Sequence, residues 1–274
     1  MHRQAAWIAP LLLLVTSPAG AGLSNTFQQT GNLGLEVVAA AGGNFPIAMG
    51  TLTLSAVPPG AVIVKATLYA SEVNNAAGLT ATFGANNLGG AQLAGSDAAF
   101  LTLYGYAWNV TNFVISGQPS YSYSIGQAIP QSNQIAAVAL VVVWQGPNEP
   151  QRTISIFDGM RQVGESGPET ESIVFGSLPA GNSTVWVVTA GDDNASSGET
   201  VSYNGGTIGG PLDGSLGMSA SLLQMSATSV SGNNTLAITT GADHMGWMIG
   251  AVSVTLSPTG AARTSWGRLK ALHR

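Results

Sequence analysis

The sequence contains no cysteine and few charged residues. Only 8% of its 274 residues are charged, whereas a soluble domain usually has about 25%. The lack of cysteine excludes disulfides, cysteine-ligated zinc, iron–sulfur clusters and thiol nucleophiles. The low charge excludes a helical bundle or coiled coil, whose faces need many Lys and Glu residues. Stability must therefore come from a hydrophobic core, for which the chain is long enough.

Positive charge is scarce and is concentrated at one end of the chain. The formal net charge is −5, and four of the eight basic residues follow Pro258. Between Leu23 and Pro258 there are three basic and thirteen acidic side chains, so the net charge there is 3 − 13 = −10. An acidic body lacks the basic stripe of a nucleic-acid-binding protein and repels phosphate and anionic lipid headgroups. It is compatible with cations and with neutral ligands such as sugars.

The first 21 residues have the features of an export signal. Arg3 is positively charged, Ala5–Val15 is apolar, and Ala19-Gly20-Ala21 has the small-residue pattern of a signal-peptide cleavage site. The apolar run is too short for a transmembrane helix, which needs about 20 apolar residues. We therefore expect residues 1–21 to be a signal peptide and the protein to be extracellular or at the cell surface.

Short segments of alternating apolar and polar residues follow, separated by Gly, Asn and Pro. Turn signals about 8–12 residues apart are typical of a β-sandwich or barrel. We predict an all-β fold, an antiparallel β-sandwich of jelly-roll type, over residues 22–258. Two smaller sandwiches joined near Gly164–Thr170 are the alternative. No segment repeats at a fixed period, which argues against a solenoid or propeller.

Several segments allow more specific predictions. Ile135–Trp144 and Met248–Leu256 lack alternation, which indicates central strands buried on both faces. Asp158-Gly159 stands between two strand-like segments and predicts a tight hairpin turn. The segment Trp108–Phe113 is the strongest candidate for a short turn rather than a strand.

Two rows of aromatic residues keep a period of two. These are Tyr104, Tyr106 and Trp108, and then Tyr121 and Tyr123. Each row should line one face of a strand. An exposed row would be a platform for stacking sugars, but the inner faces of a sandwich need large side chains, so we predict core.

An acidic loop, Gly191–Glu199, is the candidate metal site. Its ligands would be Asp192, Asp193, Asn194 and Glu199. Oxygen ligands at this density suit Ca²⁺, although the spacing is not that of an EF-hand. The alternative is a solvated turn in which the side chains bond their own backbone. No other cofactor is expected.

The sequence offers no clear catalytic arrangement. His244 is the only histidine between the signal segment and the tail, and no Gly-x-Ser-x-Gly motif occurs. A Ser–His–Asp hydrolase and a catalytic zinc site are therefore disfavoured. We predict a non-enzymatic protein with a structural, adhesive or ligand-binding role. The alternative is a carbohydrate-active protein, either a sugar-binding module or a glycoside hydrolase with a carboxylate pair.

Residues 259–274 form a spacer and a basic tail. Trp266, Leu269 and Leu272 are spaced for one face of a short helix. The residues expected to dock the tail onto an envelope or cell-surface partner are Trp266, Arg268, Lys270 and Arg274.

Several stretches share short motifs with a known group of domains. They are Val57-Pro58-Pro59-Gly60 through Lys65 and Tyr69, Tyr106 through Asn109-Val110-Thr111, Leu140 through Arg152 and Asp158-Gly159, Gly191-Asp192 through Asn204-Gly205, and Met245-Gly246-Trp247 through Val254. They resemble an uncharacterised domain family of bacterial and archaeal secreted and surface proteins. Asn109 stands where that pattern has Asp, and Tyr203 fills its aromatic place. The resemblance implies an extracellular β-sandwich module of surface, adhesin-like or envelope proteins, with no assigned catalytic residues.

Overall fold

The computed structural model describes residues 22–42, 47–73, 78–90, 92–97, 102–127, 135–164, 168–191, 198–212, 214, 216, 220–240 and 244–257. These ranges hold seventeen antiparallel strands and one short 3-10 helix, Thr111–Phe113. The strands are β1 (Gly22–Ala41), β2 (Ile47–Thr53), β3 (Val62–Val73), β4 (Leu79–Phe83), β5 (Asn86–Gly90), β6 (Gln92–Asp97), β7 (Leu103–Asn109), β8 (Ser120–Gln127), β9 (Ile135–Gln145), β10 (Gln151–Gly164), β11 (Thr170–Leu178), β12 (Gly181–Ala190), β13 (Thr200–Tyr203), β14 (Gly206–Gly209), β15 (Ala220–Ser229), β16 (Gly232–Thr239) and β17 (His244–Thr255). The prediction of an all-β antiparallel fold is confirmed.

Nine of the strands form one large sheet, and strand β1 joins its two parts. Its first half, Gly22–Asn32, pairs with β10, and its second half, Leu33–Ala41, pairs with β9. The large sheet therefore has the order β15-β12-β17-β10-β1-β9-β3-β7-β6. Its two parts pack face to face through a core that includes Val37, Val141 and Ile156.

Two smaller sheets cover the outer faces. The first outer sheet, β2-β8-β4-β5, packs on β3, β7 and β9 through Phe83, Leu140 and other buried residues. The second outer sheet, β11-β16-β13-β14, packs on β12 and β17 through Phe175 and Trp247. The result is four layers of sheet with three hydrophobic cores between them.

The central strands contribute to two cores at once. In β9, Leu140 faces the first outer sheet, whereas its neighbour Val141 faces β10 and β12 across the central core. In β17, Ala251 faces the central core, and its neighbour Val252 faces the second outer sheet. Since successive side chains of a strand point to opposite faces, a strand between two cores must be apolar at every position. The prediction of doubly buried strands is confirmed.

The strand order of the first half of the chain recurs in the second half. The order β1-β9-β3-β7 corresponds to β10-β17-β12-β15, and β2-β8-β4-β5 corresponds to β11-β16-β13-β14. We call β1–β9 the first repeat and β10–β17 the second repeat. Each repeat is a sandwich of one inner and one outer sheet, and β1 also pairs with the second repeat.

Short sequence motifs mark the same places in both repeats. Val57-Pro58-Pro59-Gly60 leads into β3, and Leu178-Pro179-Ala180-Gly181 leads into β12. The hairpins Gly78–Gly90 and Gly198–Gly210 share Gly-x-Thr at their start and end on Leu-Gly-Gly and Ile-Gly-Gly, respectively. The repeat has no fixed period along the chain because its loops differ in length.

The expected hairpin turn at Asp158-Gly159 is wrong. Strand β10 continues through these residues with a β-bulge between Asp158 and Arg161. A Cβ atom on Gly159 would lie 2.2 Å from the carbonyl oxygen of Gly22. Gly159 therefore permits the close approach of β1 rather than a chain reversal.

The other local predictions have mixed outcomes. The expected turn is present as the 3-10 helix at Thr111–Phe113, but Trp108 belongs to β7. The aromatic rows lie in the core between the first outer sheet and β3, β7 and β9, where Tyr104 is partly buried and the others are buried. The tail lies outside the described residues, so its helix has no support. In the ranges that the structure covers, no helix is long and apolar enough to cross a membrane.

One close contact in β1 allows a test of the packing. Gly34 pairs with Trp144, and a Cβ atom at Gly34 would lie 2.1 Å from the indole ring. We expect Gly34→Ala to lower the free energy of unfolding by about 1–3 kcal/mol, because the ring must leave its place. Urea denaturation measures this change.

Gly126→Ala is the matched control, since a Cβ atom there has its nearest neighbour at 3.6 Å. It should change the free energy of unfolding by less than about 1 kcal/mol. Equal effects of the two substitutions would contradict the packing argument.

Candidate functional site

A cavity of about 500 Å³ opens where β1, β3, β7 and β10 meet. The side chains that line it are mainly polar. They belong to Ser24, Thr26, Phe27, Val64, Lys65, Thr67, Tyr69, Ala107, Asn109, Thr111 and Asp158. We call it the Lys65 cavity. Several of its residues come from separate stretches of the family-like motifs, which the fold brings together.

Asp158 is the acidic group of the cavity, and it is only 6% exposed. Its Oδ2 atom accepts a hydrogen bond from the Tyr69 hydroxyl at 2.5 Å and another from the Thr26 hydroxyl at 2.6 Å. A buried carboxylate is stabilised when such donors replace water. The bulge after Asp158 and the contact of Gly159 with Gly22 place this carboxylate between the two parts of the large sheet.

Lys65 is the basic group of the cavity and the only lysine between the signal segment and the tail. Its Nζ atom donates to the Thr26 carbonyl oxygen at 3.0 Å and lies 5.8 Å from the centre of the Phe27 ring. Burial lowers the pKa of Lys65, and the nearby charge of Asp158 opposes this change. An ammonium group has three N–H donors, so the bond to Thr26 leaves two for a ligand.

Tyr69 acts as a fixed donor to Asp158. Burial is the main cause that raises the pKa of Tyr69 well above its usual value, and the charge and hydrogen bond of Asp158 act in the same direction. The phenol therefore keeps its proton at neutral pH. Thr26, Lys65, Tyr69 and Asp158 form one connected network that joins β1, β3 and β10.

The rim of the cavity carries neutral hydrogen-bonding groups. Asn109 pairs with Thr67 across β3 and β7 and is exposed, and its Oδ1 atom accepts from the Thr111 backbone N–H at 3.0 Å. The amide group of Asn109 and the hydroxyls of the rim can each donate hydrogen bonds. Among the described lining residues, Asp158 is the single carboxylate. The cavity thus contains donors, one anion and one cation, but not the carboxylate pair that glycoside hydrolysis uses.

The predicted calcium loop is only partly covered by the structure. Asp192, Asp193 and Asn194 lie outside the described residues. Glu199 is 2% exposed, and its Oε2 atom accepts from the Leu212 backbone N–H at 3.4 Å. Within the residues that the structure describes, no three His, Asp or Glu side chains group as metal ligands. The calcium site stays a prediction.

The remaining candidates do not join the cavity. His244 is fully buried at the start of β17, opposite Gly164 of β10. The docking residues of the tail, Trp266, Arg268, Lys270 and Arg274, lie outside the described residues. Reasoning from sequence missed the Lys65 cavity, although a lone lysine in a nearly cation-free body was a usable indication.

The Tyr69–Asp158 contact predicts a change of stability with pH. The folded protein keeps the Tyr69 proton above the pH at which the unfolded chain releases it. The free energy of unfolding should therefore be highest below about pH 10 and fall as the pH rises further. Tyr69→Phe should weaken this fall, and near pH 8 it should cost about 1–2 kcal/mol because Asp158 loses a donor. Urea denaturation of both proteins from about pH 8 to 11 measures the two effects, and parallel curves would contradict the assignment.

Comparisons with known proteins identify a family without an assigned function. The family model described as "Protein of unknown function (DUF3344)" matches residues 19–255. No curated protein matches the chain. Among solved structures, the conserved protein of unknown function PA5104 from Pseudomonas aeruginosa PAO1 is 9% identical, with 82% of this chain and 84% of that chain covered and a TM-score of 0.32.

A second solved structure is BpGH86A, a β-porphyranase of glycoside hydrolase family 86 from the human gut bacterium Bacteroides plebeius. It is 15% identical, with 81% of this chain and 37% of that chain covered and a TM-score of 0.25. At such scores neither similarity carries an argument about function. The family match confirms the resemblance found in the sequence motifs. Because it spans most of the chain, this protein belongs to the DUF3344 family of proteins of unknown function.

Proposed function

We propose that this protein is an exported, non-enzymatic β-sandwich protein that binds a small hydroxyl-bearing ligand in the Lys65 cavity. The observation that carries the proposal is the presence of one ammonium group, Lys65, and one carboxylate, Asp158, in the same open polar cavity. Both groups are held in place by Thr26. Because these side chains are already ordered, binding a ligand would cost little of their conformational entropy.

The composition of the cavity favours a sugar or sugar acid as the ligand. Ser24 and Thr67 bring hydroxyl groups to the lining, and Asn109 brings an amide. Hydroxyls both donate and accept hydrogen bonds, which matches the hydroxyls of a saccharide. Lys65 can also bind one carboxylate. Sugar binding therefore has more support than hydrolysis.

The location of the protein is part of the same proposal. The first 21 residues have the pattern of a signal peptide, and the family resemblance implies surface or envelope proteins. The basic tail would attach the acidic body to a component of the cell envelope. In this arrangement the body presents the Lys65 cavity outside the cell.

Lys65→Met tests the ligand site. We expect glucose, galactose, glucuronate or galacturonate to raise the Tm of the native protein, because a ligand that binds only the folded state stabilises it. At about 100 times the Kd the gain is about 2.7 kcal/mol. The variant keeps the aliphatic length but loses the charge, so the shift in Tm should disappear.

Lys270→Met is the matched control, because Lys270 is the other lysine of the chain and lies in the tail. It should leave the shift in Tm unchanged. Failure of all four compounds to shift the native Tm, or an equal shift in Lys65→Met, would contradict ligand binding at this cavity.

Deletion of Arg263–Arg274 tests the tail. We expect the protein to be exported but to move from the cell surface to the medium, because the deletion removes the basic and aromatic docking residues. Cell fractionation with immunoblotting measures its distribution. Replacing residues 259–262 with Gly and Ser is the control and should leave retention unchanged. If the deletion variant stays on the surface, the tail is not the anchor.

A further inference from the structure

We propose that a second, open groove on β12 and β15 binds a neutral oligosaccharide. The groove lies in the second repeat at the place that the Lys65 cavity occupies in the first. This proposal does not depend on ligand binding in the Lys65 cavity. It adds a different site, with a different class of ligand, on the other half of the molecule.

The two sites correspond strand by strand. Lys65 is the fifth residue after Gly60 of its entry turn, and Trp186 is the fifth after Gly181. Lys65 pairs with Val143 of β9, and Trp186 pairs with Ala251 of β17, which takes the place of β9 in the second repeat. In the first repeat, residues 24–27 of β1 line the cavity beside β3. In the second repeat, β1 and β9 contact the inner end of the matching face of β12 and β15, where Trp186 is buried, whereas Asn182, Ser226 and Thr228 on that face are exposed.

Three cross-strand pairs build the floor and walls of the groove. They are Asn182 with Thr228, Thr184 with Ser226, and Trp186 with Gln224. Alternate residues of a strand share one face, so all three pairs point the same way and follow each other at about 7 Å. Asn182, Gln224, Ser226 and Thr228 are exposed. This row of amides and hydroxyls is long enough to contact more than one sugar ring.

Two adjoining depressions of the surface lie along this row of side chains. One has a volume of about 450 Å³ and is lined only by small side chains and Asn182. The other has a volume of about 280 Å³ and reaches Trp144 and Trp186. They share Thr184 and Thr255, so they form one continuous groove. Ser253 and Thr255 of β17 add hydroxyls along its inner edge.

The charged residues at the inner end are already paired. Glu149 accepts from the Trp144 indole N–H at 2.9 Å and forms an ion pair with Arg152 at 3.3 Å. The charges of the described lining are therefore neutralised by each other, whereas Lys65 in the other cavity has N–H donors left for a ligand. Hydroxyl and amide groups bind neutral hydroxyls well but offer little to balance an anion. The body around them is acidic, which disfavours an anionic ligand further.

The experiment compares binding of soluble hexasaccharides by isothermal titration calorimetry. The probes are the hexamers of glucose, mannose and N-acetylglucosamine, with hexagalacturonate as the charged comparison. The test variant is Asn182→Ala/Gln224→Ala/Ser226→Ala. All three residues are exposed, so the variant should fold. The matched control is Thr51→Ala/Thr53→Ala/Thr82→Ala, which removes three exposed hydroxyls from the first outer sheet.

We expect at least one neutral hexamer to bind, hexagalacturonate to bind more weakly, and the triple variant to lose at least tenfold in affinity. The control variant and Lys65→Met should bind the neutral hexamer like the native protein. This outcome would separate the groove from the Lys65 cavity. No binding by any neutral hexamer, tighter binding of hexagalacturonate, or equal affinity of the native protein and the triple variant would overturn the proposal.

Discussion

The pairing of β1 with two different partners is the constraint on which this structure depends. One strand completes the inner sheet of the first repeat through β9 and continues into the second repeat through β10. The change of partner occurs between Asn32 and Leu33, next to the contact of Gly34 with Trp144. Without this strand, the two inner sheets would not form one hydrogen-bonded sheet. With it, the backbone hydrogen bonds run across all nine strands of the large sheet.

The stacking of three sheets in four layers explains how the protein can be stable without disulfides. A chain with one core has many strands that are buried on one face only. Here the inner strands are buried on both faces, and ten consecutive residues of β9, Ile135–Trp144, are buried. Burial of apolar area contributes about 25 cal/mol for each Å² removed from water. Three cores in one chain therefore supply the stability that small disulfide-rich domains obtain from covalent links.

The repeat also explains why the two halves carry different polar sites. Equivalent positions in β3 and β12 hold Lys65 and Trp186, so the Lys65 cavity has an ammonium group where the groove has an indole ring. The first half of β1 adds Thr26 and Phe27 to the Lys65 cavity, and β10 adds Asp158. The second repeat has no equivalent of this segment in the described residues, and Asn182, Gln224, Ser226 and Thr228 stay exposed there. Because β1 contributes these residues to one repeat only, the two repeats have different polar surfaces although their strand order is the same.

The sequence by itself determined the fold class and the strands with the strongest patterns. Strands such as Leu79–Phe83 and Thr200–Tyr203 are defined locally by alternating apolar residues and by nearby glycines. The family resemblance was also visible in short motifs and was confirmed. Only the tertiary structure decided the first half of β1, where residues Ser24–Thr30, all polar except Phe27, follow no strand pattern and are held by pairing with β10. It likewise decided that Asp158-Gly159 is a bulge, because the turn preference of these two residues is local whereas the close approach of Gly22 is not. Lys65, Tyr69 and Asp158 are far apart in the chain, and their meeting depends on strand register, which no local pattern encodes.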